Sequence, residues 1–222
     1  MKLPSSLLLL FLCLPLLAAC LPAAPPPDPA AAARQAERVA ELVTAKDYRG
    51  AAAEFAQAQA LAPADAGYAL THADLREGLG EVDTARRTYR QGLAAIAGDD
   101  PMRPRLSWRL ALLELFHRAD PGAAAALATA LTGNSFEAID LDGALRLAKG
   151  ETAGAIQRFR QAESLAATPA QAAFALYHAS LGYWRLGDDP ETFRTLLEAI
   201  TQATARGLIR DIETHFKAIS PQ

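Results

Sequence analysis

Small and bulky apolar residues recur at spacings of three and four along most of this chain. The clearest run is Gly143–Leu165, GALRLAKGETAGAIQRFRQAESL, in which Ala155, Phe159 and Ala162 share one helix face. The order small, large, small lets a neighbouring helix approach closely while Phe159 fills the gap. Lys149-Gly150-Glu151 reads as a tight turn between two helices, so the stretch predicts a helical hairpin. A lone hairpin cannot bury that seam, and further copies are expected.

The copies are present. An acid after the turn, a small residue four later and a large one eight later describe Asp47/Ala51/Phe55, Glu81/Ala85/Tyr89 and Glu151/Ala155/Phe159. Asp120/Ala124/Ala128 and Asp188/Thr192/Leu196 keep the frame in degenerate form, and successive acids lie 34, 39, 31 and 37 residues apart. Gly80, Gly150 and Gly187 each stand just before the acid, where a helix end favours a residue that tolerates positive φ.

One helical hairpin per period of roughly 34 residues is the pattern of tetratricopeptide (TPR) repeats, and from Ala30 to Ala205 the chain resembles that superfamily. The resemblance implies an all-α fold: a right-handed superhelix of about five TPR-like helical hairpins plus a C-terminal capping helix. Helices are expected near 30–45, 48–61, 66–79, 83–97, 105–118, 121–131, 135–149, 152–166, 169–186, 190–205 and 208–218. Asp120-Pro121, Thr168-Pro169 and Asp189-Pro190 read as a capping residue before proline, and Asn134 with Glu137 as a capping box. Gly98–Ser107, GDDPMRPRLS, reads as an irregular loop able to divide the array into blocks of two and three repeats.

The ends are of another kind. Met1–Ala19 carries Lys2, then the apolar run Leu7–Leu17, too short to span a bilayer, which takes roughly 20 residues. A basic start, a short apolar core and small residues at its end make a secretory signal. Leu17-Ala18-Ala19-Cys20 resembles a bacterial lipobox, which implies cleavage after residue 19 and a lipid anchor on Cys20. An ordinary signal peptide and a short core helix are the alternatives; the first fits less well because Leu17 stands where a small residue is preferred. Leu21 after the Cys, in place of Asp, implies the outer membrane by resemblance to Gram-negative lipoprotein sorting. Residues 20–29 hold the lipidated Cys and a Pro-rich spacer, extended at roughly 3 Å per residue and reaching about 25–30 Å. With Cys13 in the signal and Cys20 acylated, the mature domain has no thiol, although it would fold in an oxidising space. Residues 30–206 form the repeat domain and 207–222 the cap and tail. In that last segment Leu208, Ile212, His215, Phe216 and Ile219 form one stripe, with Arg210, Asp211, Glu213 and Lys217 elsewhere; a partner-binding tail is the alternative.

The chemistry expected is recognition. Without the signal the chain carries 21 basic and 25 acidic residues, with no basic stripe, so nucleic acid is not expected as a partner. His72, His117, His178 and His215 sit on separate helices without ligand spacing, and Asp140-Leu141-Asp142-Gly143 lacks the remaining ligands of a calcium loop; its acids read as exposed polar positions. There is no phosphate loop, no nucleophile elbow and no Cys nucleophile outside the signal. No catalytic residue, metal ligand, cofactor or small-molecule substrate is expected.

A TPR array implies a concave groove lined by the first helix of each hairpin. Carried across by register, the groove positions are Arg109, Leu113, Phe116 and His117 in the third hairpin. They are Phe174, Tyr177, Leu181 and Trp184 in the fifth, and Leu70, Asp74 and Glu77 in the second. Trp108 is expected in the core. Aromatic residues at helical spacing also suit a core, and both readings of Phe116, Tyr177 and Trp184 stand. As a groove, the surface is apolar and aromatic, suited to an amphipathic helix or extended peptide of an envelope protein. The resemblance to lipid-anchored periplasmic TPR proteins implies a scaffold in assembly of a pilus or a secretin-type secretion system. An accessory of a periplasmic enzyme or exopolysaccharide export complex, and a structural outer-membrane assembly scaffold, are the alternatives.

Overall fold

The structure, a computed structural model, describes residues 26–131 and 133–203. The segments expected as signal peptide, lipidated Cys20 and C-terminal cap at 207–222, with most of the expected spacer, lie outside the described residues. Among these residues there are ten helices and no strand: α1 Pro29–Thr44, α2 Tyr48–Leu61, α3 Ala66–Gly78, α4 Val82–Ala95, α5 Arg103–Phe116, α6 Pro121–Ala128, α7 Phe136–Ala148, α8 Thr152–Leu165, α9 Pro169–Leu186 and α10 Asp189–Gln202. They pair as five consecutive antiparallel hairpins, α1–α2 through α9–α10, each stacked on the next.

The acids that mark the period are the N-caps of the second helices. Asp47, Asp120 and Asp188 accept from the backbone N–H groups of Gly50, Ala123 and Glu191 at 2.9, 2.9 and 3.2 Å. Glu81 and Glu151 are too long to cap in this way. Each instead pairs with an arginine four residues before the turn's glycine, Arg76 at 2.7 Å and Arg146 at 3.2 Å. Gly80, Gly150 and Gly187 have φ of 78°, 81° and 73°; Lys46 and Ala119 take the same place in the first and third hairpins at 62° and 51°.

Among the boundaries that differ from the sequence pattern, α6 and α10 end three residues early, at Ala128 and Gln202, and four others differ for a local reason. Pro29 is the first residue of α1 rather than the end of the spacer, because proline lacks only an N–H that the first turn leaves unpaired. Asp28 caps that helix and its own N–H donates to Leu61 O at 2.8 Å, tying the spacer's end to α2. Ser135, not Asn134, caps α7, and Asp188, not Asp189, caps α10. Finally, α5 starts at Arg103, with Pro104 inside its first turn, so the irregular loop is shorter than expected. It does not divide the array: Leu106, Leu110 and Leu113 of α5 join the core of α3 and α4, while Trp108, Ala111, Leu112 and Leu115 join that of α7–α10.

The seams follow the small-large-small rule. Ala155 and Ala162 are fully buried around Phe159, as Ala51 and Ala58 are around Phe55. At Gly92 and Gly182 the neighbouring helix comes closer than a methyl allows. A Cβ there would sit 2.6 Å from Ala69 Cβ and 2.5 Å from Ile156 Cγ1. Burial of these faces is the main stabilising term for a domain without cross-links.

Candidate functional site

Apart from His117 and Phe174, the sequence-assigned groove residues fall on one repeating row. Counted back from the positive-φ residue that ends each first helix, Trp184 holds the place of Glu77, Phe116 and Leu147. Leu181 matches Asp74, Leu113 and Ala144, and Tyr177 matches Leu70, Arg109 and Asp140. The structure shows what this row touches. Asp74 and Glu77 of α3 reach forward to Arg109 of α5, at 3.0 and 3.2 Å. Asp140 of α7 reaches forward to His178 of α9 and back to Trp108 of α5. Most of the row joins one hairpin to the next.

Arg109 is buried, and its guanidinium lies 4.8 Å from the centre of the Phe174 ring. Its two carboxylates also accept from the Tyr89 hydroxyl, Glu77 at 2.9 Å and Asp74 closer still, while His117 Nε2 lies 3.4 Å from Glu77. Burial pushes the Tyr89 phenol well above its ordinary range; Arg109 opposes this, and Asp74 and Glu77 add to it. A proton there serves as a fixed donor.

The second polar centre is Asp140, which is fully buried inside α7. The reading of Asp140 as an exposed polar position is therefore corrected, whereas Asp142 is partly exposed and pairs with Arg146 and Arg158. The Asp140 carboxylate accepts from Trp108 Nε1 at 2.8 Å and from His178 Nδ1 at 2.9 Å. The His178 ring is enclosed by Phe116, Phe159, Phe174 and Tyr177, with centroids 5.4–6.2 Å away. Through these buried contacts Trp108, Asp140 and His178 tie the third, fourth and fifth hairpins together.

Tyr177 and Leu181 are buried, as are Arg109 and Leu113, so these four are inaccessible to a partner in this conformation. Arg109 meets the carboxylates of the preceding first helix, Leu113 joins the core of α3 and α4, and Tyr177 and Leu181 join the core shared by α5 and α7–α10. Burial also pushes the Tyr177 phenol above the ordinary tyrosine range. Phe116 and His117 are partly covered. Trp184 is the exception, 38% exposed at the end of α9.

Glu114 was not singled out by the sequence pattern. It is wholly buried in the apolar run of α5, yet holds Arg86 at 2.5 Å, Arg90 at 3.0 Å and Arg118 at 3.3 Å. The available signal was a carboxylate between Leu113 and Leu115, with two arginines four apart on the preceding helix. Among the described residues no group of three or more His, Cys, Asp or Glu could hold a metal ion. No described helix is long and apolar enough to cross a membrane.

No family model matches the chain, and no curated protein matches it. Solved structures do. The Cut9–Hcn1 hetero-tetramer of APC/C matches with a TM-score of 0.60 at 14% identity, over 84% of this chain and 36% of that one. PilW, described as a widely conserved type IV pilus biogenesis factor, matches with a TM-score of 0.56 at 14% identity, over 85% and 91%. MamA gives a TM-score of 0.49 at 15% identity, over 86% and 97%. The first two likenesses establish the fold class, an all-α superhelix of TPR-like hairpins.

Proposed function

We propose that this chain is a non-enzymatic adapter, anchored in the outer membrane through Cys20 and facing the periplasm. There it holds a segment of an envelope protein during assembly of a pilus or secretin-type secretion system. The observation that carries the proposal is Trp184: the row that elsewhere joins hairpins ends on an indole open to solvent. A bulky aromatic on a rigid helix suits an anchor for an apolar peptide segment. The choice of envelope system is supported by the lipobox and spacer, and by the shared fold with a pilus biogenesis factor over most of both chains.

The test is Trp184→Ala in the full-length, membrane-anchored protein. The variant is expected to melt within a few degrees of the parent, because the indole is partly exposed. It is also expected to lose roughly thirtyfold in affinity for the secretin- or pilus-system protein that co-purifies with the parent. Co-purification at parental yield removes Trp184 from the contact surface. Association of the parent only with synthases or amidases overturns the assembly role.

A further inference from the structure

The third hairpin is built differently from the others. Its second helix, α6, runs eight residues, whereas α2, α4, α8 and α10 run 14 each. Between α4 and α6 lies a cleft of about 370 Å³, with Leu110 of α5 in its lining. Leu93 of α4 and Ala123, Ala126 and Leu127 of α6 complete an apolar bed. Arg90 of α4 borders it, its side chain 53% exposed.

The corresponding place between the fourth and fifth hairpins is closed. Arg160 of α8 stands nine residues after Glu151, as Arg90 stands nine after Glu81. Arg160 holds Glu163 of its own helix at 3.0 Å and reaches across to α10, to Thr195 at 3.2 Å and Glu198 at 3.7 Å. Its side chain is 28% exposed. In the earlier copy Leu93 stands in the place of Glu163, and on α6 Leu127 and Ala130 stand in the places of Thr195 and Glu198. Both acids are replaced by apolar residues. Arg90 turns instead to Glu114, which is wholly buried and also holds Arg86 and Arg118. Asp83 pairs with Arg118 as well, and Arg87 bonds the Thr84 hydroxyl. Arg86, Arg87, Arg90 and Arg118 thus stand beside two carboxylates, a local excess of positive charge on a chain with 22 basic and 25 acidic residues.

We infer that this cleft docks a peptide segment of a partner protein, apolar but for one carboxylate. Its apolar side chains lie on Leu93, Leu110 and Leu127, and its carboxylate pairs with Arg90 as Glu198 pairs with Arg160. The volume falls within the roughly 300–1,000 Å³ of ligand sites, which are mostly apolar with a few placed polar groups. An anionic membrane surface fits less well, because it rewards cations spread over an exposed face. Here Arg86 and Arg118 are turned onto Glu114, and of the three arginines on that carboxylate Arg90 is the most exposed. The cleft belongs to the second and third hairpins and Trp184 to the fifth, so each contact can fail without the other.

Panning a phage-displayed library of short random peptides against the full-length protein tests the inference. The enriched sequences are expected to combine apolar residues with Asp or Glu. Replacing that acid in the best peptide by its amide should weaken binding to the parent about tenfold, a readout that needs no variant to fold. Arg90→Gln should cause a similar loss for the acidic peptide and little loss for the amide. Ala126→Trp, from an exposed position, fills the cleft and should weaken binding at least tenfold, while Ala125→Trp, exposed on the same helix outside the lining, binds as the parent. Enrichment of no peptide or of peptides without an acid, equal losses for acid and amide, or binding indifferent to Ala126→Trp overturns the inference. So does capture of phosphatidylglycerol vesicles by the Cys20→Ser protein that is lost in Arg90→Gln when no peptide is enriched, which assigns the arginines to a membrane surface.

Discussion

Gly92→Ala sets two known effects against each other, and the structure decides the sign. In a helix interior, alanine is favoured over glycine by about 1 kcal/mol. At residue 92, however, the new methyl would lie 2.6 Å from Ala69 Cβ, with both Leu106 methyl carbons at 3.7 Å. Two carbon atoms need about 3.5–4 Å, so α4 must move roughly an ångström from α3. Neither atom can rotate aside, because each is a Cβ fixed to a helical backbone. Overpacking of this kind typically costs about 1–3 kcal/mol, occasionally more. Because neither Cβ can yield, the cost lies toward the upper end of that range and overpacking wins: less the alanine preference, the net loss is about 1–2 kcal/mol, and the variant should melt roughly 2–8 °C below the parent at about 2–4 °C per kcal/mol. The internal control is Gly154→Ala in α8, whose methyl would meet only Arg146, its Nη1 at 3.6 Å, an ordinary contact. That variant should gain up to about 1 kcal/mol. Thermal melts followed by circular dichroism, with denaturant titration to separate ΔG from m, read both. Ala69→Gly added to Gly92→Ala removes the opposing methyl and should recover much of the loss. A Gly92→Ala protein at least as stable as the parent refutes the closed α3–α4 seam.

Three further outcomes follow from the same geometry. Glu114→Ala should cost about 2–4 kcal/mol in denaturant titration, because it removes a buried carboxylate that is ion-paired with three arginines and hydrogen-bonded to two of them. Arg90 and Arg118 are exposed enough to turn to water, which keeps the loss below the upper end. His72 Nδ1 donates to Gln59, and its Nε2 accepts from Arg76. Burial first, then the Arg76 charge, lower its pKa to about 4. The unfolded chain binds that proton near pH 6.5 and the folded one does not, so the contribution is complete above pH 6.5 and is lost as pH falls toward 4. Over that window Tm of His72→Gln should fall less steeply than that of the parent; parallel curves would contradict the assignment. Cys20→Ser should abolish acyl labelling and release the protein from the membrane fraction, and a variant that still pellets with the outer membrane argues against the lipobox.

Helix placement and register were legible in the sequence because their causes lie within one or two turns of chain. Ala155, Phe159 and Ala162 declare a seam by spacing alone. Asp47, Asp120 and Asp188 declare helix starts because a short acid reaches the N–H three residues on, and Gly80, Gly150 and Gly187 declare stops because they tolerate positive φ. Which side of a first helix stays open is not local. Asp140 looked like a solvent-facing acid until Trp108 and His178, 32 and 38 residues away, were found bonded to it. Tyr177 and Trp184 share a face by spacing, yet only Trp184 reaches solvent. A seven-residue interval fixes which way two side chains point along a helix. What they meet there is decided by residues distant in sequence: Tyr177 joins the core shared with α5, α7 and α8, and Trp184 lies beyond its edge.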